Sequence, residues 1–330
     1  MRRGARSRAD RAGLLAGLVA VLLVTVTAGA LALVHYSGTT LAGSTGGAAG
    51  AGARPGPAGL RTAASPGTER AGSPPASPSA KRSAARLAAA RAAAPAFFGT
   101  LPPGAALPSG AQCAGWVRAR PTPENKGMNR AFNHTRGQRV GSGFFPPGDL
   151  PQADRLLAPR INGDFTGTTS EILRWAACKW GINQNIVFAQ AAVESWWNQT
   201  TLGDWGTDAA ACPPGHGPGT QGKPGQCPQS YGILQNRYPF EQASWPGIAD
   251  STAMNADTAY AIWRSCYDGY ETWLNNVPHG RPYRAGDVWG CVGRWFAGRW
   301  HTAPAQQYIA KVRQYLAERI WTTPDFQQPG

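Results

Sequence analysis

The sequence predicts a mainly α-helical domain with long disulfide-tied loops, preceded by a transmembrane helix and a disordered linker. Three observations predict it: an uncharged apolar run at 13–34, an Ala/Gly/Pro/Ser-rich tract at 35–109, and a segment at 110–330 that combines helical spacing with all six cysteines.

Residues 1–12 are basic, with Arg2, Arg3, Arg6, Arg8 and Arg11 ahead of "GLLAGLVAVLLVTVTAGALALV". A run of this length suffices to cross a bilayer as a helix, and the arginines before it place the N-terminus in the cytoplasm. "AGA" at 28–30 offers a cleavage site, so a removed signal peptide is the alternative; the apolar run exceeds a usual signal core, which favours an uncleaved anchor. Either way the C-terminal part is exported, as a single-pass membrane protein or in secreted form. Residues 35–109 carry few large side chains to offset the entropy of ordering, and read as a disordered linker.

The net charge of +14 is concentrated at the N-terminal end. Residues 1–109 hold twelve Lys and Arg against two Asp and Glu, whereas residues 110–330 hold twenty against sixteen. An excess beside a membrane segment marks topology rather than base recognition, which argues against nucleic acid as a partner. Cys113, Cys178, Cys212, Cys227, Cys266 and Cys291 are even in number and all fall in the exported part, as disulfides require. Proximity favours Cys212 with Cys227 and Cys266 with Cys291, leaving Cys113 with Cys178, although sequence alone does not fix the connectivity. With no Cys-x-x-Cys pair and scattered histidines, a metal site is not indicated, nor is any organic cofactor.

Within 110–330 the helices follow in order. "TTSEILRWAACKWG" sets Thr168 three residues before Glu171, a capping box, and ends on Gly181 as the stop. A second helix starts near Asn183 or Asn185 and runs to Trp197 on the stripe Ile186, Ala189, Val193, Trp197. "NADTAYAIWRSCYDGYETWL" and "DVWGCVGRW" repeat the spacing, and a last helix opens at Thr302 and Pro304 with Tyr308, Ile309, Val312, Tyr315 and Leu316 on one face. A Gly/Pro-rich loop spans 203–229.

Glu194 is the residue on which function turns. It lies beside the apolar stripe of the second helix, with Gln190, Ala191, Trp197 and Asn198 as uncharged neighbours. Partial removal from water raises a carboxyl's pKa and lets it hold a proton for transfer. Spacing alone favours a structural glutamate, paired with an arginine at a helix end or hydrogen-bonded to the Gln190 amide.

Five segments in order carry a resemblance: "GINQNIVFAQAAVESWWN", "SYGILQN", "NADTAYAIW", "RWFAGRW" and "YIAKVRQYL". Together, over about 168–320, they resemble the soluble lytic transglycosylase family and its goose-type lysozyme relatives. The resemblance implies a lysozyme-like α fold and a cleft for peptidoglycan glycan strands. It makes Glu194 the sole catalytic acid and base, cleaving between N-acetylmuramic acid and N-acetylglucosamine and leaving 1,6-anhydromuramyl ends. Ser195, Ser230, Gly232 and Gln235 are then expected to border the cleft, with Ile233 in the core.

This chain departs from the family's pattern twice. Glu194 and Gly232 are thirty-eight positions apart, roughly twice the family's spacing, and the excess is a loop that a Cys212–Cys227 bridge would close. Where the family has Tyr-Asn, this chain has Phe296 and Ala297; Trp295 or Tyr308 must then supply the missing partner of Glu194, or activity is reduced. Of the tryptophans, Trp197 is expected in the core and Trp196 and Trp205 in the cleft. Asp204 is the acid to consider if the product is hydrolytic. The competing functions are a muramidase with the same cleft and a catalytically silent glycan-binding domain. No protein partner is indicated.

Overall fold

A computed structural model describes residues 77–146 and 149–327; the 13–34 span and the 35–76 part of the linker lie outside them. Among the described residues no helix is long and apolar enough to cross a membrane. The fold is mainly helical: α1 (Pro78–Ala93), α2 (Gly110–Arg118), α3 (Arg130–His134), α4 (Pro151–Leu156), α5 (Thr169–Trp180), α6 (Gln184–Ser195), α7 (Gly247–Asp250), α8 (Thr252–Tyr267), α9 (Val288–Ala297), α10 (Ala303–Glu318) and α11 (Pro324–Gln327). Three two-residue strands, β1 (Leu202–Gly203), β2 (Ser230–Tyr231) and β3 (Asn236–Arg237), form an antiparallel sheet in the order β1-β2-β3.

The central pair is α5 and α6. Thr168 and Glu171 make both halves of the capping box, and Gly181 ends α5 in the left-handed conformation, as the sequence predicts. Both helices are almost wholly buried, so each presents apolar residues on every side rather than a single stripe. Against α5 packs α8, which starts at Thr252 under a Ser251 cap and stops before Tyr270, earlier at both ends than its apolar spacing suggests. A buried polar hub joins the two: Asp257 accepts from Lys179 Nζ at 2.6 Å, from the Trp180 indole at 2.8 Å and from two backbone amides. An isolated charge here would be costly, and the four donors offset that cost.

The disulfides are Cys113–Cys178, Cys212–Cys227 and Cys266–Cys291. They pin α2 to α5, close the 203–229 loop, and tie α8 to α9.

The linker boundary is corrected. Residues 77–109 are ordered, with α1 on the surface and 94–109 strapped onto the domain. Phe98 is buried in the core, the Leu101 amide donates to the Gly181 carbonyl, and the Arg264 guanidinium donates to the Leu101 and Pro102 carbonyls. A few well-placed side chains suffice here, which an average over a biased composition hides.

Candidate active site

A cleft of about 880 Å3 lies between the end of α6, the small sheet and α9, with Glu194 among its lining residues. Glu194 occupies the last turn of α6, which ends at Ser195 and not at Trp197, because Trp196 and Trp197 both take left-handed backbone angles (φ 57° and 62°). That abrupt exit leaves the carboxyl half-buried near a helix C-terminus, where the dipole also disfavours a negative charge.

Burial pushes the Glu194 carboxyl up to about 7, and the nearby charge of Asp204 adds to the rise. Two donors work the other way: the Tyr308 hydroxyl, which donates to Glu194 Oε1, and the Trp295 side chain. Burial and the charge of Glu194 hold the Tyr308 phenol well above its usual range, so it remains a donor. Tyr308 is itself positioned from the cleft side by Phe296, whose ring stacks on it at 4.8 Å and 3°. Of the two side chains considered for the missing phenol, Tyr308 is therefore the phenolic partner, and Trp295 contributes beside it.

The segment from Ser230 to Gln235 backs the facing wall and reaches the cleft at Gln235. Gly232 (φ 80°) is required there: a Cβ would lie 2.3 Å from the Asn255 side-chain nitrogen and 2.6 Å from that of Gln199. Those amides hold the turn, with Asn255 Oδ1 accepting from the Leu234 amide and Gln199 Oε1 from the Ile233 amide. Ile233 is in the core as expected. Gln235 faces the cleft, anchored by its side-chain amide on the Thr201 and Gly232 carbonyls.

Several expected cleft residues lie elsewhere. Ser195 is buried and its hydroxyl donates to the Ile233 carbonyl at 2.8 Å, so it is a strut between α6 and the wall. Gly232 is buried in the turn it makes possible. Ser230 is also buried and donates to Asp204 Oδ2, orienting that acid without lining the cleft itself. Trp196 packs edge-on to Tyr315 and against Phe326, outside the cleft, because the left-handed turn after Glu194 swings it away. Trp205 lies under Lys223 Nζ at 4.2 Å and is not a cleft residue, since the closed loop supplies its partner.

Asp204, Trp295 and Phe296 do line the cleft. Asp204 sits at φ 47°, exposed, 3.7 Å from Arg237 Nε. The sequence reading missed Arg237, Glu241, Glu271 and Arg294, which share the cleft. Arg294 pairs with Glu271 at 2.5 Å, and burial pushes the Glu241 carboxyl up to about 8. Each of these acids follows an aromatic residue, Phe240 or Tyr270, so a carboxylate set among rings is the signal that could have found them. Among the described residues no group of three or more His, Cys, Asp or Glu could hold a metal ion.

Compared with known proteins, the chain matches no family model, no curated protein and no solved structure.

Proposed function

We propose that this chain is an exported, membrane-tethered lytic transglycosylase with a lysozyme-like domain, and that Glu194 cleaves peptidoglycan strands as both acid and base. The observation that carries the reading is the Glu194 carboxyl, raised to about 7 at the cleft and held by Tyr308 and Trp295. Near neutral pH such a group exists in both protonation states, as a residue must that first gives and then takes a proton.

The protonated carboxyl gives its proton to the glycosidic oxygen, so that the bond to the muramyl anomeric carbon breaks and the leaving sugar departs as an alcohol. The carboxylate then takes the proton of the muramyl 6-hydroxyl as that oxygen closes on the same carbon. The products are an anhydro end and a free sugar end, no water is consumed, and Glu194 recovers its proton. Tyr308 steadies the anionic state between the two transfers, and Gln235, its amide N–H groups held by the Thr201 and Gly232 carbonyls, offers its side-chain carbonyl to sugar donors.

A second reading, hydrolysis, is favoured by one observation: Asp204 lines the same cleft, oriented by Ser230 and close to Arg237. An acid there can activate water on the other side of the sugar. Digestion of purified wall, read by mass spectrometry, separates the two: anhydromuramyl ends are expected, and reducing muramyl ends alone would assign hydrolysis. If the wild type and Glu194→Gln both leave the wall intact, the chain is a silent glycan binder.

A further inference from the structure

A second cavity, of about 470 Å3, shares no residue with the Glu194 cleft. It opens between α5, the start of α6, the 120–125 segment and the C-terminal turn around Trp321. Its volume falls in the range of small-ligand sites.

Its charged lining is Arg120 and Arg174, with no acid. Arg174 is 6 % exposed and donates to the Arg120 carbonyl at 2.7 Å. Neither arginine belongs to an ion pair among the described residues. Glu171, the acid whose charge acts on Arg174, has both carboxylate oxygens engaged by the Thr122 and Thr168 amides at 2.9 Å. The charge of Glu171 offsets only part of the cost of burying the Arg174 guanidinium, and Arg120 alongside adds repulsion; an incoming anion relieves both.

The remaining lining narrows the anion. A guanidinium fork matches a planar carboxylate in two parallel bonds. Asn125 Oδ1 is buried without a hydrogen-bond partner among the described residues and calls for a donor. Pro121, Pro123, Phe188 and Trp321 supply apolar walls. Carboxylate, adjacent N–H donor and small apolar side chain together describe the last residue of a peptide.

We propose that this pocket binds the C-terminal carboxylate of a peptide, with Arg174 as its principal ligand and Asn125 receiving the terminal amide N–H. The inference is independent of the chemistry at Glu194.

The test is calorimetric titration of the full-length chain with N-acetyl-alanyl-alanine of L and of D configuration, with the C-terminal amides of the same peptides, and with inorganic phosphate. Saturable binding of an acid peptide is expected, with its amide at least tenfold weaker and phosphate a poor competitor. Arg174→Gln should weaken the acid peptide at least tenfold, whereas Glu194→Gln should leave its affinity unchanged. If Arg174→Gln lowers the unfolding midpoint, Arg120→Gln, a change at an exposed side chain, takes its place and should weaken the same peptide several-fold. Equal affinity for acid and amide, equal affinity for phosphate, absence of binding, or unchanged affinity in the arginine variants would each overturn the proposal.

Discussion

The Tyr308 hydroxyl on α10 donates to Oε1 of Glu194 at the end of α6, joining two residues 114 positions apart. Because this bond favours the ionised carboxyl, Tyr308→Phe should move the alkaline limb of the pH–activity profile to higher pH while lowering the maximal rate. A profile that stays in place while the rate falls would assign Tyr308 to packing alone.

Glu194→Gln retains the shape of the side chain and removes its proton transfer, so wall clearing should drop on the order of 10²–10⁴-fold. In the wild type, the rate at limiting substrate should fall as pH rises through about 7, where the acid loses its proton. Turbidity clearing across pH 5–9 measures both effects.

Stability should carry the same signature. The folded chain holds the Glu194 and Glu241 protons up to about 7 and about 8, whereas the unfolded chain releases them nearer the ordinary glutamate value of 4.5. Their contribution is therefore fully present below the unfolded pKa and is lost as pH rises through the folded values. Glu241→Gln should be nearly neutral at pH 4 and stabilising at pH 9, by on the order of a few kcal/mol. Thermal unfolding of both proteins at the two pH values decides it.

At the α5–α8 hub, Asp257→Ala leaves Lys179 buried without its partner. A loss of about 3–5 kcal/mol is expected, and Asp257→Ala with Lys179→Met should recover much of it. Denaturant midpoints of the single and double variants give the coupling.

How legible this was depended on the range of the interactions. The capping box at Thr168, the Gly181 stop and the nearest-neighbour cysteine pairs are local, and the sequence displays them directly. Glu194 stands out only when its uncharged helical setting is joined to the resemblance of five ordered segments, because the setting alone also suits a structural glutamate. The role of Tyr308 is not displayed locally, since helical spacing marks it only as a core-facing residue. Trp196 was misplaced because two successive left-handed residues after Ser195 cannot be read from spacing that presumes a continuing helix. The cleft acids Glu241 and Glu271 come together through loops whose paths depend on long-range packing with Arg294.

The strap formed by residues 94–109 has a mechanical consequence. Phe98 and Gln184 are bonded reciprocally, the Phe98 amide to the Gln184 side chain at 3.2 Å and the Gln184 amide to the Phe98 carbonyl at 2.9 Å. Gln184 is the first residue of the helix whose last turn carries Glu194. Tension arriving along the chain from its N-terminal side meets the Arg91–Ala119 and Ala94–Arg120 bonds first and then these two, at one end of a twelve-residue helix whose last turn holds the acid.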